Sequence, residues 1–155
     1  MGVSVIDGTI EEVVLRRRRK LNSVYDRVMF RLDDGSTKTW GKSVVSNNVA
    51  DHLKPGVKGR FYLYTAIDHR GIHGLRAADG REVYGFGKQN EIISIVIVVT
   101  MTLTTFLSVT VLGHVQLLAL ILMVLGVPMY FLYRGTRVQA ESQFQADSGF
   151  RPAAA

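Results

Sequence analysis

The chain has no cysteine, three prolines and one tryptophan among its 155 residues. The first absence excludes disulfides, thiol nucleophiles and cysteine-ligated metals, and it fits a reducing compartment. Two longer absences say more. No charged residue occurs from Ile92 to Leu112, and none from Val115 to Leu132. At about 1.5 Å per residue, the first run is as long as the ~30 Å hydrocarbon core of a bilayer is thick, and the second is slightly shorter. Neither shows the polar stripe at helical spacing that marks a core helix of a soluble protein. Both are expected to be transmembrane helices, about 92–112 and 115–132.

Met1–Leu15 lacks a basic start followed by an apolar core, so no secretory signal is expected. Lys and Arg are also missing from the turn Gly113–Gln116. Sixteen of the 19 lie in residues 1–89, and the others are Arg134, Arg137 and Arg151. This asymmetry predicts a multi-pass protein of the cell (inner) membrane with both termini cytoplasmic.

Catalytic patterns are missing as well. There is no phosphate-binding glycine motif, no nucleophile elbow and no grouping of carboxylates, so the expectation is a non-enzyme without a cofactor. His69 and His73, four apart, have no third ligand nearby in sequence, and no metal site is expected.

What the chain does have is alternation. In "SVYDRVMFRL", Val24, Asp26, Val28, Phe30 and Leu32 fall on one side of a strand and Tyr25, Arg27, Met29 and Arg31 on the other. "DDGS" reads as a two-residue hairpin turn at Asp34-Gly35, and "TKTWGKS" as the returning strand. A short helical turn in "SNNVADHLKPG" follows, then strands "GRFYLYTAID", "IHGLRA" and "REVYGF". An opening strand near Ile6–Leu15 completes the order β-β-β, helix, β-β-β. The expected class is an α+β membrane protein: a small antiparallel β-barrel, OB-like with an SH3-like barrel as the alternative, followed by a two-helix transmembrane hairpin. The domains are then 1–89 for the barrel, 90–134 for the hairpin and 135–155 for a polar, disordered cytoplasmic tail.

Three residue groups stand out. Arg16, Arg17, Arg18, Arg19 and Lys20 form a loop cluster which, with Arg70 across the barrel rim, is a candidate contact for an anionic surface. With the two-residue turn, Arg31 lies beside Lys38, Met29 beside Trp40 and Arg27 beside Lys42, giving a candidate ligand face with a stacking indole between cations. In the membrane, Thr100, Thr104 and Ser108 on the first helix and Ala119 and Gly126 on the second are candidates for close helix packing.

These groups imply an anionic partner. The expectation is a membrane-anchored binding or scaffold module, a small accessory subunit whose barrel touches anionic lipid and an acidic face of another membrane protein. The alternative is an effector that senses a nucleotide or single-stranded nucleic acid and whose oligomerised helices permeabilise the membrane.

Overall fold

A computed structural model describes residues 2–150. The strands are β1 (Gly2–Arg18), β2 (Asn22–Leu32), β3 (Thr37–Ser46), β4 (Lys58–Thr65), β5 (Arg70–Ala77) and β6 (Glu82–Tyr84), with the one-turn helix α1 (Asn47–Ala50) between β3 and β4. β1 serves two neighbours: its first half pairs with β4 and its second with β2, both antiparallel. Register shifts between Ile10 and Glu12, Val14 and Leu15, and Leu15 and Arg17 let it bend between them. A short parallel pairing, Val44 with Gly71 and Val45 with Ile72, joins β3 to β5. The result is a closed five-strand barrel in the order β1-β2-β3-β5-β4, with β6 added to β5.

Inside lie Ile6, Ile10, Val28, Phe30, Phe61, Leu63, Ile72 and Leu75, all nearly or wholly buried, with the Phe30 and Phe61 rings 4.8 Å apart. β2 departs from simple alternation. Ser23 and Tyr25 are buried in its first half, but Val28 and Phe30 in its second, so Val24 and Asp26 do not share the face expected of them. The cause is a bulge. Tyr25 pairs with Leu15 and Arg27 with Val14, which leaves Asp26 as an extra residue that reverses the parity of everything before it.

The β2–β3 turn also differs from the expected two-residue form. Leu32 N donates to Ser36 O at 2.8 Å and Gly35 N to Leu32 O at 3.0 Å, enclosing three residues, Asp33, Asp34 and Gly35. Gly35, at φ 82°, takes the left-handed position that closes such a loop. Asp34 Oδ1 accepts from the Ser36 N–H and hydroxyl, which holds its carboxyl below the usual range. One extra loop residue moves the whole register by one.

After the barrel come α2 (Gln89–Leu107), a π-helical turn (Ser108–Leu112) and α3 (Leu117–Ala146). Two helical spans, Gln89–Leu112 and Leu117–Ala146, are long and apolar enough to cross a membrane. The chain divides into two compact units. One comprises residues up to Gly87 together with those from Val138 onward, and the other is Lys88–Arg137.

In the second unit the helices meet along small and polar residues. Glu91, Ser94 and Ser108 of α2 and its π-turn are buried, as are Ala119, Gly126 and Thr136 of α3. A Cβ on Gly126 would lie 2.7 Å from Val98 Cγ2, so the glycine admits the neighbouring helix. Of the residues expected to pack, Ser108, Ala119 and Gly126 are buried. Thr100 is exposed and Thr104 half-buried. Steps of four residues advance the face by about 40° each, whereas 94, 101 and 108 keep a seven-residue period that stays in the seam. Thr104 instead donates to Thr100 O at 2.9 Å, within its own helix. Arg137 Nε donates to Glu91 Oε1 at 2.6 Å, tying the end of this stretch of α3 to the first turn of α2.

The segment expected to be a disordered tail differs most. α3 continues to Ala146, and its last residues belong to the barrel unit, where Phe144 packs 5.0 Å from Tyr62 and 5.2 Å from Tyr84 between ring centroids. Tyr62 and Tyr64, on the outer face of β4, are buried along with Phe61 and Leu63 on the inner one. Both faces of that strand need cover, and the polar-looking segment supplies it with Phe144. Residues 151–155 lie outside the described residues.

Candidate anion-binding sites

The arginine run is less of a loop than its composition suggests. Arg16, Arg17 and Arg18 end β1, and only Arg19, Lys20 and Leu21 make the turn into β2. Asn47, at the start of α1, holds that turn in place. Its side-chain amide donates to Arg19 O at 2.9 Å and Lys20 O at 3.0 Å, its backbone N–H donates to Leu21 O, and its carbonyl oxygen accepts from the Ser23 hydroxyl at 2.8 Å. A side-chain network of this kind fixes the turn's shape.

The five cations are not equivalent. Arg18 pairs with Asp51 at 2.7 Å and Arg16 with Asp26 at 3.6 Å, whereas Arg17, Arg19 and Lys20 have no ion pair among the described residues. Two leucines flank them: Leu15 is 51% exposed and Leu21, at the turn itself, 63% exposed. A rigid turn thus presents three uncompensated cations beside two solvent-facing apolar side chains.

The hairpin face does not assemble as expected. In the shifted register Arg31 pairs with Thr37, Met29 with Thr39, Val28 with Trp40 and Arg27 with Gly41. Trp40 packs against the barrel core, with its indole nitrogen buried. Arg27 and Arg31 are neutralised from β1, Arg27 by Glu12 at 2.9 Å and Arg31 by Glu11. The expected stack of Met29 and Trp40 between cross-strand cation pairs is therefore not formed. Of the expected set, Lys38 and Lys42 are exposed and form no ion pair among the described residues.

Arg70 sits apart from the arginine run. It opens β5, and its guanidinium lies 5.5 Å from the centroid of the Trp40 ring. It also lines a half-open cavity of about 330 Å³ formed by Val24, Lys42, Val44 and the β4–β5 connection Thr65–Arg70. None of Arg16–Lys20 takes part in that lining. His69 stands in the same wall, its Nδ1 2.7 Å from Asp68 Oδ1 and its ring edge-on to Tyr64.

His73, four residues on, is in β5 and buried on the outer face of the barrel. It is wholly buried on β5, among Tyr62, Tyr64, Tyr84 and Phe86, with ring centroids 6.0 to 6.1 Å away. Burial pushes its pKa down to about 4, opposed only by the Ala140 backbone. Among the described residues no three His, Cys, Asp or Glu are grouped to hold a metal.

Around His73 lies a set of contacts that sequence reasoning missed. Asp147 accepts from Arg60 at 3.2 Å and from the Tyr62 hydroxyl at 3.0 Å, Arg76 donates to Phe144 O at 3.1 Å, and the Arg60 guanidinium covers the Phe150 ring at 3.4 Å. Burial first, and then the Asp147 contact, push the Tyr62 hydroxyl up to about 12. The available signal was "FYLY", an unbroken apolar and aromatic run that reads as a strand covered on both faces.

Comparison with protein-family models, curated proteins and solved structures returns no match. The functional reading therefore rests on the residues themselves.

Proposed function

We propose that the protein is a non-enzymatic, membrane-anchored binding module. It is a small accessory subunit whose barrel engages anionic lipid together with an acidic face of a membrane partner. The observation that carries this is the pinned turn, with Arg17, Arg19 and Lys20 uncompensated and Leu15 and Leu21 exposed beside them. Each Lys or Arg close to an anionic leaflet contributes about 1 kcal/mol, so three give on the order of 3 kcal/mol. Exposed leucines among cations suit a surface with charge outside and hydrocarbon beneath. Nucleic acid offers no hydrocarbon, and the stacking face it would use is missing from the hairpin.

The barrel is OB-type in this reading, a type supported by the order β1-β2-β3-β5-β4, by the parallel β3–β5 closure and by the helix between β3 and β4. The two apolar helices form a membrane hairpin with both termini in the cytoplasm, supported by the uncharged run Ile92–Leu112 and by cations confined to the segments flanking the apolar runs. The absence of cysteine makes that orientation measurable. Single cysteines at Ser36 and Ser142 are expected to resist a membrane-impermeant thiol reagent in intact cells, while one at His114 reacts. Labelling at Ser36 would reverse the orientation.

The lipid contact is tested with the full chain in nanodiscs. A fluorophore on Leu21→Cys is expected to be quenched by lipid-borne nitroxide more in phosphatidylserine discs than in neutral ones, with the difference fading as salt rises. Replacing Arg17, Arg19 and Lys20 with Gln should remove most of that difference. Equal quenching in both lipids would reject the reading.

A further inference from the structure

The cavity at the β4–β5 connection is separate from the basic turn, and its chemistry is that of a small-anion site. Lys42 reaches it from β3 and Arg70 from the start of β5, and neither has an ion pair among the described residues. Two cations left uncompensated around one concavity repel each other, and an anion placed between them removes that cost. The one carboxylate in the lining, Asp68, accepts from His69 at 2.7 Å and is thereby engaged within the wall. In the same lining, Val24, Val44 and Ala66 supply an apolar surface. At about 330 Å³ the space exceeds what a bare inorganic anion fills and suits a compact ligand with a charged end and an apolar body.

Two further features narrow the ligand. Arg70 offers a planar fork that matches phosphate or carboxylate oxygens in pairs, while Lys42 adds a point charge. They outnumber the single carboxylate of the lining, Asp68, by one, and their two sets of donors reach two or more terminal oxygens of one ligand, which a phosphoryl group supplies. We infer that this cavity binds a phosphate monoester, either a free one of mononucleotide size or the exposed headgroup of a phosphorylated lipid. The inference does not depend on the lipid contact of the basic turn, since Arg17, Arg19 and Lys20 lie outside the lining.

The chain carries its own reporter. Arg70 lies over the ring of Trp40, the single tryptophan, so an anion that draws on the Arg70 guanidinium alters the indole's surroundings. The experiment uses the full-length protein in neutral nanodiscs, titrated with adenosine monophosphate and with inorganic phosphate. Parallel discs contain phosphatidic acid. The expected result is a saturable change in Trp40 emission, with ³¹P NMR line broadening of the soluble ligand as a direct measure of binding. Lys42→Gln is expected to weaken the apparent affinity about tenfold, the loss of one charge-assisted contact. Arg70→Gln should do the same in the ³¹P measurement, which does not depend on the indole. Arg17, Arg19 and Lys20 replaced together by Gln should leave it unchanged.

A response to the soluble monoester identifies a free ligand, and one confined to phosphatidic acid identifies a lipid headgroup. The absence of a saturable response in all three arms overturns the inference, as does binding that survives Lys42→Gln combined with Arg70→Gln. Because the charge-neutralised turn variant is scored separately, failure of the cavity leaves the lipid reading of the turn standing, and the converse.

Discussion

Gly71→Ala is expected to lower the stability of the barrel by about 1–3 kcal/mol, the usual cost of forcing a methyl into filled space, and Gly71→Val by more. Gly71 is where β5 meets β3. An added Cβ would collide with the Val44 carbonyl oxygen and also lie 2.6 Å from Tyr64 Cε1, so neither backbone nor ring is free to yield. The parallel seam consists of two residue pairs, Val44 with Gly71 and Val45 with Ile72. Displacing one pair therefore threatens closure of the barrel. Tyr64 shares the strain, because its hydroxyl donates to the same Val44 oxygen at 3.3 Å. Gly41→Ala is the control: nothing lies within 4 Å of its Cβ, and a strand alanine should be neutral or slightly stabilising. Thermal unfolding of the two variants in one detergent checks the contrast. If Gly71→Ala and Gly41→Ala melt alike, the seam does not hold the barrel closed. Because Val44 and Arg70 both line the anion cavity, Gly71→Ala should also weaken phosphate monoester binding, linking the closure to the site.

Much of this architecture was legible in the residues, and what was not has definite physical causes. Strand positions followed from period-two alternation and turn residues, and the helical spans from runs without charge. The hairpin face failed by a single residue. "DDGS" satisfies a two-residue and a three-residue loop equally well, and only the hydrogen bond from Leu32 N to Ser36 O decides between them. That choice put Trp40 against the core and left Arg31 opposite Thr37. Glu11 and Glu12 neutralise Arg31 and Arg27 from a neighbouring strand, and a bulge in that strand's pairing sets which carboxylate meets which arginine. Bulges carry no mark in a single sequence when the extra residue is an ordinary exposed Asp26. Glu91 lies in the first turn of α2, where a negative charge is favourable, but its pairing with Arg137 requires knowing that α3 runs past the apolar stretch. The arginine run lies where β1 ends and turns into β2, with Arg70 apart from it. Its division into paired and unpaired members depends on Asp26 and Asp51, which are close only once the chain is folded.

Acidification is expected to loosen the covered face of the barrel unit, and His73 is the group through which it acts. Its native pKa is pushed down to about 4 from an ordinary value of 6.5, because charging it would place a cation among the buried rings of Tyr62, Tyr64, Tyr84 and Phe86. Between pH 6.5 and 4 the unfolded chain takes up this proton and the native one does not. Stability is thus complete above about pH 6.5, falls as the pH drops to about 4 and is level below it, with a total loss on the order of 3 kcal/mol. Asp34 and Asp79, whose carboxyls are held below 3.8 by Ser36 and Arg81, lose their contributions at lower pH and do not confuse the window. His73→Leu should flatten the profile between pH 6.5 and 4 when unfolding of the full chain is followed by Trp40 emission. A variant as pH-dependent as the parent would remove His73 from the account. The cover itself is probed at Phe144, whose ring packs on Tyr62 and Tyr84 and receives the Arg76 guanidinium at 4.4 Å. Phe144→Ala is expected to cost ~2 kcal/mol, the scale for burying such a side chain. It should also speed hydrogen exchange in β5 near Gly74, where an added Cβ would lie 2.7 Å from the Phe144 ring. By admitting water to His73, the same substitution should raise the imidazole's pKa toward 6.5 and shrink the acid-induced loss. If Phe144→Ala lowers stability equally at pH 7 and pH 4, the segment and the histidine act independently.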